Sequence, residues 1–270
     1  GRTYLAEVYF KRSLDGLVSN NAKSLYDNQA KAIQFNNFIE RFRLSFSQTN
    51  LLIASNVGQR AIQTGGTNPQ GQIQISEQDR QIISQAIQAA ISEAKAAVAL
   101  NPAKATNWEN LAVIYRNVLN VAQGADVWTI ASYQRAISAD PQNPGYRLNL
   151  GGVYYSLNNF PEAIRLFEQA VALKSDWPNA HYNLAWAAFQ MRDYQRAASE
   201  MQVVITLLDP VKEKADLARA QKEFDEFKKL IPEPTESQTG EPEQLTLPTP
   251  AQEQIQPKIE LPKTASPEAR

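Results

Sequence analysis

Cysteine is absent from this 270-residue chain, and histidine occurs once, as His181. Without a thiol there is no disulfide, no thiolate metal site and no Cys–His nucleophile pair, and any histidine-based triad must run through that one residue. Zinc lacks soft ligands altogether. No apolar run approaches the roughly 18–20 residues needed to cross a bilayer. The formal net charge is only −1, which removes the electrostatic case for nucleic acid or an anionic membrane as partner. Thr64-Gly65-Gly66-Thr67 is glycine-rich, but it has neither a preceding strand nor the Gly-Lys-Ser/Thr ending of a phosphate cradle. It reads as a flexible loop. These absences predict no catalytic residues, no metal and no cofactor. The chain opens on Gly1-Arg2-Thr3 with no Met and no signal peptide, which reads as a cut from something longer. A cysteine-free chain is at home in any compartment, so localisation is not legible.

What the sequence does contain is a repeat. Three stretches align on a spacing of about 34 residues. The first carries Trp108, Leu111, Ala112 and Tyr115. The second has Leu150, Gly151, Tyr154, Ala163, Phe167 and Ala170, and the third Leu184, Ala185, Ala188, Ala197, Met201 and Val204. Large, small and aromatic residues recur in the order that suits two helices packed face to face. One such hairpin cannot bury its own apolar face, so it must stack on copies of itself. His181 occupies the place of Trp108 and reads as a packing residue.

Composition then divides the chain. Residues 1–54 repeat the pattern in degraded form, with Tyr4, Leu5, Ala6 and Tyr9 followed by Ala30, Ala32 and Ile33. Residues 55–75 hold Gly58, Gly65, Gly66, Pro69 and Gly71 among glutamines, which predicts a flexible loop far longer than the usual 4–6 residues or so. It is either a lid or an expanded tether. Ser76-Glu77-Gln78-Asp79 reads as a capping box that opens the regular repeats of 76–210. Asn101-Pro102, Asp140-Pro141 and Asp209-Pro210 close successive units, because proline cannot continue a helix. The unit closed by Pro141 carries extra residues around Val121–Val127. Residues 211–231 form an amphipathic stretch suited to capping a stack. From Pro232 to Arg270 the chain holds eight of its fifteen prolines, no aromatic residue, and seven glutamates against three basic residues. Such a tail cannot offset an ordering entropy of about 1–2 kcal/mol per residue, so it is expected to be disordered, as a partner dock or a spacer.

The Trp–Leu–Ala–Tyr opening, the Ala–Phe–Ala second helix and the closing proline resemble the tetratricopeptide repeat (TPR). The resemblance spans roughly residues 1–210 and is strongest over 105–210. Thr129 departs from it where a small Ala is expected, and Ser175 where a Pro is expected. It implies an all-α, right-handed superhelical solenoid of antiparallel helix pairs, with the disordered tail appended. The chain is also similar to the soluble C-terminal repeat region that follows the multi-pass segment of O-antigen ligase-like bacterial membrane proteins. That second resemblance implies an accessory role beside a glycan polymerase or ligase.

In the repeat family the first helix of each pair lines the concave side. At 100° per residue, the positions opposite the packed stripe are Asn110, Val113, Arg116 and Asn117 in one unit. Asn149 and Tyr155 follow in the next, and Asn183, Trp186 and Phe189, with Tyr182 beside them, in the last. The resemblance therefore implies a groove in which Asn110, Asn149 and Asn183 form an amide ladder between aromatic residues. Such a ladder suits an extended peptide, because each amide both donates and accepts. The alternative is that the asparagines recur as repeat consensus and the rings pack on neighbouring helices. Related repeats clamp a terminal carboxylate with Lys and Asn; here Glu109, Val113, Leu148 and Gly152 stand in those places, so that ligand class is not expected. The functional expectation is a non-catalytic scaffold for a protein or peptide, with a structural spacer or oligomerisation module as the third reading.

Overall fold

The computed structural model describes residues 1–66, 74–119 and 122–232. They form eleven helices and, among the described residues, no strand. Ten of the helices pair in sequence as hairpins: α1 (Arg2–Val18) with α2 (Ala22–Phe35), α3 (Glu40–Thr64) with α4 (Glu77–Leu100), α5 (Ala105–Arg116) with α6 (Ala125–Ala139), α7 (Pro144–Ser156) with α8 (Phe160–Leu173), and α9 (Pro178–Gln190) with α10 (Tyr194–Leu207). The last, α11 (Lys214–Lys229), packs on α10. Gly1–Ile231 is one compact unit, and the Pro/Glu-rich stretch expected to be disordered lies, from residue 233, outside the described residues.

Local sequence sets the helix ends. Asn21, Ser76, Asn159 and Asp193 each accept a hydrogen bond from a backbone N–H three residues on, and Asn143 from one two residues on, so orphan donors of the first turn are satisfied. The predicted cap at Ser76 forms, with Asp79 N donating to Ser76 Oγ at 3.0 Å. Within three hairpins the turn passes through a left-handed residue: Asn20 (φ 53°), Asn158 (φ 59°) and Arg192 (φ 62°). Asn158 and Arg192 lie one 34-residue spacing apart, and the turn of α1–α2 adopts the same geometry.

Between hairpins a second device recurs. Trp108 Nε1 donates to Pro102 O at 2.7 Å, Arg147 Nη1 to Pro141 O at 2.6 Å, and His181 Nε2 lies 3.0 Å from Ser175 O. Three unlike side chains at one repeat position pin the carbonyl six residues upstream. His181 is buried, with Nδ1 2.7 Å from Glu200 Oε2 on α10. Both ring nitrogens thus face acceptors, which ties α9 to its partner helix and to the preceding loop.

Every buried cluster draws on at least three successive helices. Ala112, Tyr133, Leu150, Val153 and Leu166 join α5 to α8; Phe167, Ala170, Ala180 and Leu184 join α8 to α9; Met201, Val204 and Phe227 join α10 to α11. Among the described residues, no hairpin has a core of its own. Thr129, the departure from small Ala, is fully buried and donates to Ala125 O at 2.6 Å, so its hydroxyl is satisfied within its own helix.

Two adjacent glycines on α7 have opposite surroundings. A Cβ at Gly151 would stand 2.5 Å from the ring of buried Phe167, whereas one at Gly152 would meet nothing within 4 Å. Gly151 sets the approach of α7 and α8. Gly152 faces open space.

The loop expected over residues 55–75 is shorter than that. α3 continues ten residues into it, to Thr64, with Ala61 buried, and Arg60 pairs with Asp79 of α4 at 2.7 Å. Gly58 sits inside the helix, where its cost of about 0.5–1 kcal/mol is outweighed by packing along the long α3–α4 pair. Residues 67–73, the centre of the proposed lid, lie outside the described residues.

Candidate functional site

The ten residues expected to line a groove divide into three groups. Asn110 is buried: its Oδ1 accepts from Gln48 Nε2 at 3.0 Å and its Nδ2 donates to Ser47 Oγ at 2.9 Å, both on α3. Both ends of the amide are used to join two hairpins, so Asn110 is a tie within the fold and not an exposed rung of the groove. That corrects the ladder of three equivalent amides.

A second correction falls on the aromatic residues of α9. Trp186 is half-buried and meets Phe227 of α11 edge-on at 5.2 Å; Phe189 stacks on the same ring at 4.8 Å. Trp186 Nε1 and Tyr182 Oη donate to the two oxygens of Glu223, at 3.3 and 3.2 Å. The Arg219 guanidinium lies 5.3 Å from the centre of the Tyr182 ring. Burial is the main cause pushing the Tyr182 phenol above its ordinary range. The helical wheel put these rings opposite the stripe that packs within their own hairpin. It did not count the next helix in the row, and α11 covers that face.

The third group stays accessible. Val113, Asn149, Tyr155 and Asn183 are half-buried, and Arg116 and Asn117 are exposed. Asn117 Nδ2 donates to Val113 O at 2.8 Å, closing the end of α5. Asn183 donates to Asn179 O and Asn179 Oδ1, at 2.7 and 3.0 Å, which leaves its own carbonyl oxygen to accept. Tyr155 Oη accepts from Gln190 Nε2 at 3.2 Å, and its ring sits edge-on to Phe160 at 5.3 Å. Gly152 lies one turn from both Asn149 and Tyr155.

Two further polar residues lie outside the ten expected to line the groove. Asn107 is fully buried, and its Nδ2 lies within 3.2 Å of Ala97 O, Asn101 O and Glu40 Oε2, joining α3, α4 and α5. Glu109 is half-buried on α5, and burial pushes its carboxyl above the usual carboxylate range, partly opposed by Arg116. Among the described residues there is no group of three or more side chains placed to hold a metal, and no helix long and apolar enough to cross a membrane.

Known proteins share this geometry. Residues 152–191 match the family model described as TPR repeat. No curated protein sequence matches the chain significantly. Among solved structures, the MamA protein superposes with a TM-score of 0.57 at 14% identity, over 78% of this chain and 94% of MamA. A thermophilic TPR protein of Thermus thermophilus gives 0.51 at 15% identity, over 80% and 99% of the two chains. The pilF protein of Pseudomonas aeruginosa gives 0.54 at 13% identity, over 87% and 95%. At such identities the likeness establishes fold alone. The resemblance to O-antigen ligase-like proteins finds no counterpart among these matches. The described body of the chain is thus an all-helical, TPR-like solenoid with a recognisable TPR repeat at residues 152–191, a scaffold of the kind that generally mediates protein–protein interaction.

Proposed function

We propose that the chain holds an extended segment of a partner protein along the row of first helices α5, α7 and α9. In the repeat family that the chain resembles, the first helices line the concave side. The observation that carries the reading is the open space over Gly152, flanked by half-buried Asn149 and Tyr155. A partner backbone can approach the helix there as it cannot over any side chain. The Asn149 amide and the Asn183 carbonyl oxygen are the polar groups in reach of its peptide units.

Magnitudes limit the affinity. Hydrogen bonds of this kind contribute about 0.5–1.5 kcal/mol each, against roughly 8 kcal/mol for a micromolar complex. With Trp186 and Phe189 engaged by α11, the aromatic surface left to a ligand is mainly Tyr155. A single short segment should therefore bind more weakly than micromolar, unless an apolar or charged side chain adds to it.

Gly152→Leu tests the groove without harming the fold. A Cβ there meets nothing within 4 Å, and removing a helix-interior glycine should raise stability by about 0.5–1 kcal/mol, read from urea unfolding. The same change should abolish the selection of ten-residue peptides from a random array by the full-length chain. Unchanged selection by this variant, or no selection by the unsubstituted chain, rejects the groove.

A further inference from the structure

Between α3 and α5 lies a half-open cavity of about 250 Å³, lined by Leu44, Gln48, Leu51, Thr106, Glu109, Asn110 and Val113. Its polar groups are unevenly matched. Gln48 Nε2 is already given to Asn110, leaving Gln48 Oε1 as an acceptor. Desolvation disfavours the Glu109 carboxylate, the charge of Arg116, two turns along α5, partly opposes that, and among the described residues the carboxylate accepts no hydrogen bond. Among the described residues, no lysine or arginine lines the cavity. It therefore presents acceptors, one of them anionic, beside the aliphatic walls of Leu44, Leu51 and Val113.

We infer that this cavity takes a cationic side chain, lysine or arginine, from the bound segment, with its methylene stem on the aliphatic wall and its charge against Glu109. The inference rests on the reading of a bound partner segment proposed above and adds the chemistry of one of its residues. Long basic side chains bury their stems on apolar surface while the charged head meets an acceptor, which is the pattern this wall and rim provide. In the free chain Glu109 is a liability, since its ionised form is half-desolvated without a partner. An incoming cation compensates that cost.

The test uses the full-length chain on arrays of ten-residue peptides with random flanks and one fixed central residue: lysine, norleucine, arginine or its neutral isostere citrulline. Lysine and arginine pools should be retained on the order of tenfold better than norleucine and citrulline pools, equivalent to about 1.4 kcal/mol. Glu109→Gln should lose that preference while melting at a higher temperature at pH 7, because the unpaired charge is gone. Val113→Lys should lose it as well, since a lysine one turn beyond Glu109 on the same helix face supplies the cation internally. Equal retention of lysine and norleucine, or a preference that survives Glu109→Gln, overturns the inference. If the pools bind without a charge preference and Gly152→Leu still abolishes binding, the groove stands and the cation pocket alone is lost. If no pool binds, both fall.

Discussion

Replacing Phe227 by alanine should lower the stability of the chain by about 3–5 kcal/mol, the range for a fully buried aromatic residue. Phe227 is 1% exposed and is the single ring of α11 against which both Trp186 and Phe189 rest. Removing it leaves a cavity at the junction of α9, α10 and α11, and α10 loses the element that covers its far side. In a stack stabilised by nearest neighbours, loss at one end weakens the last hairpin most. Urea unfolding followed by tryptophan emission reports this directly, because Trp177 and Trp186 both belong to that hairpin. A midpoint within experimental error of the unsubstituted chain would show that α11 is dispensable. Trp186→Ala should cost about 2–3 kcal/mol, less than a fully buried tryptophan because the residue is half-buried. Asn149→Ala should stay within about 0.5 kcal/mol.

That contrast between Asn149 and Trp186 marks what the sequence made legible and what it did not. Contacts within a hairpin follow from spacing along the chain. The small residue at Gly151 and the cap at Ser76 depend on residues less than one repeat apart, and the structure shows the close approach at Gly151 and the cap at Ser76. Contacts between hairpins obey no such rule. Asn110 and Trp186 occupy equivalent or neighbouring wheel positions on helices of the same kind, yet one is bonded to α3 behind it and the other is packed under α11 ahead of it. A helical wheel shows which face is left over by the partner helix, and in a solenoid part of that face belongs to the next unit. The end of α3 was obscured for a related reason. Gly58 and the glutamines around it signal a loop by composition, but the neighbouring α4 offers a helix-length surface that outweighs one glycine. Asn107 carried no sequence signal, and Glu109 stood out only as unlike the residues of a carboxylate clamp, because their roles depend on what α3 and α4 bring beside them.

Phe167→Ala is the second large effect, again about 3–5 kcal/mol, and its pairing with Gly151 makes it informative about the architecture itself. The Phe167 ring is fully buried and occupies the space a Cβ at residue 151 would need, 2.5 Å from its Cε1. Gly151→Ala alone must move a ring held by Ala163, Ala170 and Leu184, and overpacking of that sort costs about 1–3 kcal/mol even after the gain in helix propensity. In the Gly151→Ala/Phe167→Ala double variant the ring is gone and the added methyl partly fills the hole. The two changes should then be less destabilising together than their sum, with a coupling of about 1 kcal/mol or more in a double-mutant cycle. Gly152→Ala, one residue away and facing open space, should show no coupling to Phe167 within about 0.5 kcal/mol. Additive behaviour at residue 151 would mean that the small–large contact does not set the spacing of α7 and α8. The row of first helices, and with it the open floor at Gly152, would then need another physical origin.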